Sequence, residues 1–401
     1  MPLYQWVGKT LSGEVRRGEM EAPDVKIVEA RLRRLQVIPI KITERKQSVL
    51  ARFQRKKVGG KELAIFTRQL ATMLESGLPL VQALEALSSQ QKNPYFQEVI
   101  RKIKTSVEGG SSFAEALREF PKVFDELYIQ MVNAGEAGGN LDSILKRLAT
   151  YQEKILALKS KIKHAMMYPV VIILVTIVVL SIIMVFVIPK FAQMFAEAGQ
   201  ALPLPTQIVI AASNLTKRFF PFFVLGVVGL VFLIKQIYRT EKGRYQIDKL
   251  LLRLPVFGEL LHKSAIARLT RTLSSLIASG VPLLQGLSIA GKVSGNRVIE
   301  RVVEEVRLSV SEGQSIAEPM AISGYFPHMV TQMVSVGEAT GALEQMLDKV
   351  ADFYEDEVDR TVDTLSTLIE PVLIVFLGGI IGSIIISLYL PIFKLASVAG
   401  G

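Results

Sequence analysis

Residues Glu75-Ser76-Gly77-Leu78-Pro79-Leu80 read ESGLPL, and 203 positions later Ala278-Ser279-Gly280-Val281-Pro282-Leu283 read ASGVPL. Gly suits the left-handed residue that ends a helix. Pro suits the first turn of the next helix, where its missing N–H is no loss. The pattern therefore predicts helix, tight corner, helix, at Gly77 and Pro79 and again at Gly280 and Pro282. The flanks extend the match. Phe66–Leu87 and Leu269–Ala290 are identical at nine of 22 positions. A self-match at fixed offset marks an internal duplication.

The duplication continues downstream. Ser112-x-x-Glu115 is answered by Ser315-x-x-Glu318, each a capping box ahead of an apolar run. The offset then falls by one. Gly135-Glu136-Ala137-Gly138-Gly139-Asn140-Leu141 is answered by Gly337-Glu338-Ala339-Thr340-Gly341-Ala342-Leu343. After that corner Leu141, Ile144, Leu145, Leu148 and Tyr151 match Leu343, Met346, Leu347, Val350 and Phe353 at amphipathic-helix spacing. Pro169 and Pro189 match Pro371 and Pro391, and each pair brackets an apolar segment. The unit is a helical bundle running into one membrane span, written twice.

Half of the 401 residues are hydrophobic, which suits a mixture of membrane and water-soluble parts. Pro169–Ile188 and Pro371–Phe393 carry no charge. Twenty residues at ~1.5 Å each span the ~30 Å hydrocarbon core. Phe219–Ile234 is a shorter candidate, extended by Lys235, Ile237 and Tyr238, with a buried core helix as its alternative reading. If both bundles lie on one side, the chain must return between them, and this segment supplies the return. Basic residues cluster before the first span (Lys154, Lys159, Lys161, Lys163) and after the second (Lys235, Arg239, Lys242, Arg244). Cytoplasmic flanks are enriched in such residues, so both bundles and the N-terminus are expected inside. The start, MPLYQWVGKT, shows no signal-peptide pattern, and the absence of cysteine excludes disulfides and thiolate metal sites.

The first 45 residues stand outside the repeat. Leu3–Lys9, Val15–Met20 and Pro39–Thr43 read as strands, with a helix from Asp24 to about Leu35. A basic linker follows. The net charge of +10 and the basic stretch from Arg31 to Lys61 are assigned to lipid contact or solvation rather than nucleic acid, because no nucleic-acid fold signature accompanies them. No phosphate-binding G-x-x-x-x-G-K-[ST] loop occurs. His164, His262 and His328 are scattered singly. No catalytic residue, cofactor or metal site is expected, and any energy must come from another protein.

The duplicated F/L-T-R-x-L…SG-x-P-L, the GE-x-x-G-x-L corners and the Pro-bracketed spans resemble the inner-membrane platform proteins of type IV pilus and type II secretion machines. Trp6-Val7-Gly8-Lys9, Gly13, Gly18-Glu19 and Leu35…Ile38-Pro39 look more like the pilus branch. The resemblance implies a mainly α, multi-pass inner-membrane protein with two duplicated cytoplasmic six-helix bundles, three transmembrane helices and a small αβ N-terminal unit. The expected boundaries are an αβ unit at 1–45, a linker at 46–60, bundles at 61–167 and 239–369, and spans at 168–189, 219–238 and 370–393. A short periplasmic loop at 190–218 and a tail at 394–401 complete the chain. The implied role is a non-enzymatic platform coupling a hexameric assembly or retraction ATPase to insertion or removal of pilin subunits. Implied partners are that ATPase, pilins, other inner-membrane pilus alignment proteins, membrane lipids and further copies of the chain. A type II secretion platform, a membrane scaffold without motor coupling and a transporter are the alternatives.

Four surface residues are candidate partner contacts. Arg68 and Arg271 match between copies, off the apolar face set by Phe66, Leu70 and Met73. Glu136 and Glu338 match beside the Gly corners, where they either cap or solvate the following helix or meet a basic partner surface or cation. Gly378, Gly382 and Ser383 form a small-residue stripe for close helix approach, within the chain or between chains. The first bundle, next to the N-terminal unit, is expected to face the ATPase. The second is expected to hold the platform together and the pilin near the spans.

Overall fold

In a computed structural model the described residues are 3–10, 15–21, 24–34, 36–44, 57–197, 203–255 and 257–399. Most of the basic linker and the Gln200 region lie outside them. The chain divides into two compact units, Met1–Val58 with Asn93–Phe96, and the remainder.

In the first unit β1 (Leu3–Thr10) lies between β2 (Val15–Glu21) and β3 (Val37–Glu44), antiparallel to both. Helix α1 (Val25–Arg34) closes one face. Tyr4, Val28, Leu32 and Val37 form the core, with Trp6 and Met20 against it. Trp6 sits opposite Gly18 in the ladder. A Cβ at Gly18 would come within 2.7 Å of the Trp6 ring, so the indole needs a glycine beneath it.

The second unit is helical. The first repeat runs α2 (Gly60–Glu75), α3 (Leu80–Gln90), α4 (Pro94–Glu108), α5 (Phe113–Arg118), α6 (Glu126–Gly138) and α7 (Leu141–Ile182). A π-helical turn, Ile183–Val187, leads into α8 (Ile188–Glu197). Helix α9 (Leu204–Tyr238) follows. The second repeat is preceded by α10 (Glu241–Leu252). It continues as α11 (Phe257–Ala278), α12 (Leu283–Val293), α13 (Arg297–Ser311), α14 (Ala317–Ile322), α15 (His328–Thr340) and α16 (Leu343–Ala399).

The duplicated turns share one geometry. Gly77 and Gly280 have φ of 83° and 81°. Leu78 N–H donates to the Met73 carbonyl and Val281 N–H to the Leu276 carbonyl, both at 3.0 Å, closing the helix end in the Schellman manner. Pro79 and Pro282 are the N-cap residues of α3 and α12, one position earlier than the first-turn placement expected from sequence. Their extended ψ values redirect the chain before the new helix starts.

Helices α7 with its extension and α16 are long and apolar enough to cross a membrane. Neither is broken at its proline. Pro169 lies inside α7, and Pro371 and Pro391 lie inside α16. The last helix of each repeat therefore runs without a break past its proline into its apolar segment. At ~1.5 Å per residue the 57 residues of α16 reach about 85 Å.

Two expected boundaries change. The segment expected as a loop at 190–218 is helical over Ile188–Glu197 and again from Leu204. The reason is polar as well as apolar. Thr206 Oγ1 donates to the Ser387 carbonyl of α16 at 2.5 Å, and Ser213 Oγ donates to the Met184 carbonyl in the π turn. Ile188, Ile384 and Leu388 are buried beside them, with Val209 and Ile210 packed against the cluster. The expected tail at 394–401 is helical to Ala399.

Nothing lies within 4 Å of a Cβ built on Gly77 or Gly280, so only the positive φ opposes a side chain there. We expect Gly77→Ala and Gly280→Ala each to cost about 1–2 kcal/mol, with Asn costing less at both sites. Thermal denaturation of the purified protein in detergent measures this.

Candidate functional site

The residues singled out from sequence converge on the places where each repeat closes and where the repeats meet. The Glu136 carboxylate accepts from Phe113 N–H at 2.6 Å and Ala114 N–H at 2.8 Å. Glu338 accepts from Ile316 N–H at 2.6 Å and Ala317 N–H at 3.1 Å. Each satisfies orphan amides at the start of a short helix more than 20 residues earlier in the chain. In the first copy the expected capping box completes the start, with Glu115 N–H on Ser112 Oγ and Ser112 N–H on the Glu115 carboxylate; in the second the helix takes Ile316 as its N-cap, and only Glu318 N–H on Ser315 Oγ remains of the expected box. Both glutamates are half-buried and turned inward. They cap the preceding short helix, not the following one.

The two arginines also do the same job in each copy, joining the first helix of a repeat to its last. Arg68 grips Glu153 through Nε at 2.8 Å and a terminal nitrogen at 2.7 Å, and reaches Thr150 at 3.0 Å. Arg271 grips Glu355 at 2.7 and 2.9 Å and also bonds Asp348 and Asp352. The expectation that both are comparable surface groups fails for Arg271. Its side chain is 5% exposed, against 35% for Arg68. Helix α7 passes beside Arg271, with Tyr151 on Thr272 and Lys154 on Asp352, so the first repeat's last helix lies against this site in the second repeat.

That crossing is a seam between the copies. Tyr151 of α7 meets Thr272 of α11 at 3.1 Å. The Thr272 proton is committed to the Arg268 carbonyl, so the tyrosine donates. Leu158 is buried with Leu260, Val358, Val362 and Leu365, and Ile162, Ala165 and Ile369 pack against them. The positions 358, 362, 365 and 369 follow the alternating three-and-four spacing of a coiled-coil stripe. Charges flank it. Arg147 pairs with Glu344 at 3.2 Å, Lys154 with Asp352 at 3.0 Å, and Lys161 with Asp359. The basic partners recur every seven residues and both helices run the same way. Arg271 and Lys154 thus share an acidic cradle of Asp348, Asp352 and Glu355.

Burial raises the Asp352 carboxyl, but hydrogen bonds from Arg271 and Lys154 outweigh it and hold the group below its ordinary value. Hydrogen bonding from Arg68 likewise holds Glu153 low. Burial pushes the Tyr151 hydroxyl up. These are properties of a fastened joint between helices.

The small-residue stripe of Gly378, Gly382 and Ser383 sits apart from the contacts seen among the described residues. A Cβ at Gly378 or Gly382 would meet nothing within 4 Å. Ser383 is exposed and its hydroxyl donates to the Ile380 carbonyl at 2.8 Å. The packed face of α16 is instead Ile380, Ile384 and Leu388. Sequence reading missed Asp248. It is buried, accepts from Arg297 N–H at 2.8 Å and from Tyr238 Oη at 3.1 Å, and so ties the end of α9 to the second repeat.

Three outcomes are expected. Arg271→Met should cost about 2–3 kcal/mol, below the ~3–5 of a fully buried broken pair because its acids reach water, while Arg68→Met costs about 0.2–1. Glu136→Ala should lose about 1.5–3 kcal/mol, as for other hydrogen bonds to a charged group. Thermal unfolding in detergent checks both. A carboxylate held low contributes stability above its unfolded pKa of about 3.9 and loses it as pH falls through the lower folded value. The stability gap between the natural chain and Asp352→Asn should therefore be full at pH 7 and shrink below about pH 4.

The repeated unit matches the family described as type II secretion system (T2SS), protein F, over residues 66–189 and 269–391. Residues 1–43 match the type II secretion system protein F, N-terminal domain. The chain is 50% identical to the type IV pilus assembly protein PilC of Myxococcus xanthus, covering 98% of this chain and 95% of that protein. It is 42% identical to the protein of the same name from Thermus thermophilus, covering 98% of each. Identity to the type II secretion system protein F of Vibrio cholerae is 30%, again over 98% of each. The chain belongs to the type II secretion system protein F family, and it stands nearer to these pilus relatives than to that secretion relative.

Proposed function

We propose that this chain is the inner-membrane platform of a type IV pilus machine, transmitting work from a cytoplasmic hexameric ATPase to pilin subunits entering or leaving the fibre base. The observation that carries the reading is the joint between repeats. Two soluble helical repeats are fastened along the same helices that become the spans. A torque or displacement applied to the repeats passes into the membrane through unbroken rods.

In this reading each repeat contributes six helices, from α2 to α7 and from α11 to α16, and three helices cross the membrane. The third crossing is the apolar Phe219–Tyr238 half of α9. Its support is geometric: α9 begins beside α16 and the π turn that follows α7, at Thr206 and Ser213, and ends on the second repeat through Tyr238 and Asp248. Both repeats then lie in the cytoplasm, and Gln200 and Gly400 outside. The first repeat and the N-terminal unit face the ATPase. The second repeat and the spans hold pilin and the alignment proteins.

Affinity purification of the full chain from membranes should bring down a hexameric ATPase and pilin. Recovery of neither, from membranes in which both are present, would contradict the reading. Single cysteines at Gln200 and Gly400 should react with an impermeant thiol reagent in intact cells, and protection of both would reverse the topology.

A further inference from the structure

Helix α10 joins the apolar end of α9 to the second repeat through two tight corners, and a glycine sets each. A Cβ on Gly243 would run into the Ile237 carbonyl, and one on Gly258 into the Leu252 carbonyl. Two contacts then fix the level of this segment. Tyr238, the last residue of α9, gives its hydroxyl to Asp248 in the middle of α10 at 3.1 Å. Beyond the second corner, Leu260 of α11 is buried in the cluster that holds Leu365 of α16, with Ile369 packed against it. Leu365 lies six residues before Pro371, about 9 Å along the helix from the apolar segment that begins there. The corner between α10 and α11 thus stands level with the edge of two apolar segments, one leading in and one leading out.

The segment has two unlike faces. One is fastened to α13: Asp248 accepts from Arg297 N–H at 2.8 Å, and the Tyr245 ring lies 5.7 Å from the Arg301 guanidinium. The other is apolar with a basic border. Leu250 is 64% exposed and Leu254 42%, and Phe257 and Leu261 are exposed across the corner. Lys242, Lys249 and Arg253 stand beside them. The neighbouring acids are already engaged. Asp248 is buried, Glu241 pairs with Arg297 at 2.9 Å, and Glu259 pairs with Lys263 at 2.7 Å. An apolar face bordered by lysine and arginine is the pattern of a helix that lies in a membrane surface.

We infer that the α10–α11 corner lies in the headgroup layer of the bilayer, as an interfacial contact besides the spans. Leu250, Leu254, Phe257 and Leu261 then meet the outer ends of the acyl chains, and Lys242, Lys249 and Arg253 meet anionic phosphates. Lipid is the occupant for two reasons. The corner is tied on both sides to segments that enter the bilayer, and its free charges are those an anionic leaflet attracts. The contact holds the second repeat at a fixed height on the membrane. This inference rests on the reading that α9 and α16 cross the bilayer. It does not rest on the face being bare, because a protein cover would shield these side chains without bringing lipid to them.

The chain has no cysteine, so single labelled positions report directly. Full-length chains bearing Leu250→Cys or Leu254→Cys carry an environment-sensitive fluorophore. They are reconstituted, one copy per nanodisc, in phosphatidylcholine mixed with phosphatidylglycerol. Nitroxide lipids, labelled either near the headgroup or deep in the acyl chain, are the quenchers. Val375→Cys, exposed in the apolar segment of α16, marks the bilayer interior. Val336→Cys, exposed beside the corner that opens α16, marks water, since Leu343 lies about 42 Å from Pro371 along that helix. The expected result is blue-shifted emission at 250 and 254, most of it lost to the shallow nitroxide. Val375→Cys should respond to the deep nitroxide and Val336→Cys to neither. The inference is overturned if 250 and 254 emit as Val336→Cys does. It is equally overturned if they are blue-shifted yet unquenched while Val375→Cys is quenched, because protein then covers the face. Quenching that appears only when two copies share a disc also overturns it. If Val375→Cys escapes the deep nitroxide as well, the membrane reading falls and the inference with it.

Discussion

Everything in the helical unit rests on two parallel helices of opposite charge. The last helix of the first repeat offers Arg147, Lys154 and Lys161, and the last helix of the second offers Glu344, Asp352 and Asp359. Two copies of one helix would repel or ignore each other if they had stayed alike. Here one copy has become basic and the other acidic along the stripe where they touch. The first repeat therefore recognises the second, and the spans that continue these helices are brought alongside. At the far end Thr206 and Ser213 fasten α9 to the same pair of rods.

The division of energy within the seam follows from exposure. The apolar stripe around Leu158, Val358, Val362 and Leu365 removes hydrocarbon from water and supplies the adhesion. The outer ion pairs are half exposed and individually weak, so their contribution is register and choice of partner. The Arg271 cradle differs, since burial raises the cost of breaking it. The helical unit is thus fastened at two levels, one between the repeats and one where the apolar segments of α7, α9 and α16 meet.

Much of this was legible in the sequence. The glycine corners at 77 and 280, the Ser-x-x-Glu boxes and the Pro-bracketed apolar runs are local signals, and local chemistry placed them. Contacts between distant residues were not legible. Lys154 and Lys161 read as part of a basic membrane flank because their acidic partners lie 198 residues away. Glu136 read as facing a following helix because its two amide partners lie behind it, across a turn of the bundle. Arg271 looked like Arg68 because the helix that buries it belongs to the other repeat. The helical start of α9 was missed because Thr206 and Ser213 read as loop residues until each finds a carbonyl on a neighbouring helix. A comparison of the copies position by position does show the divergence at two of the seam's basic positions, where Lys154 and Lys161 are answered by Asp356 and Asp363.

The central claim is that opposite charges on two duplicated helices set the register of the joint between repeats. A charge-swap cycle at Lys161 and Asp359 tests it most directly, read in membranes by the intrachain crosslink that a short bismaleimide makes between Tyr151→Cys and Thr272→Cys, whose side chains meet through the full length of the tyrosine ring. The account predicts that Lys161→Asp and Asp359→Lys each lower the crosslink yield, and that the two together restore it. Unchanged yield in either single variant, or a double variant no better than the singles, would contradict it.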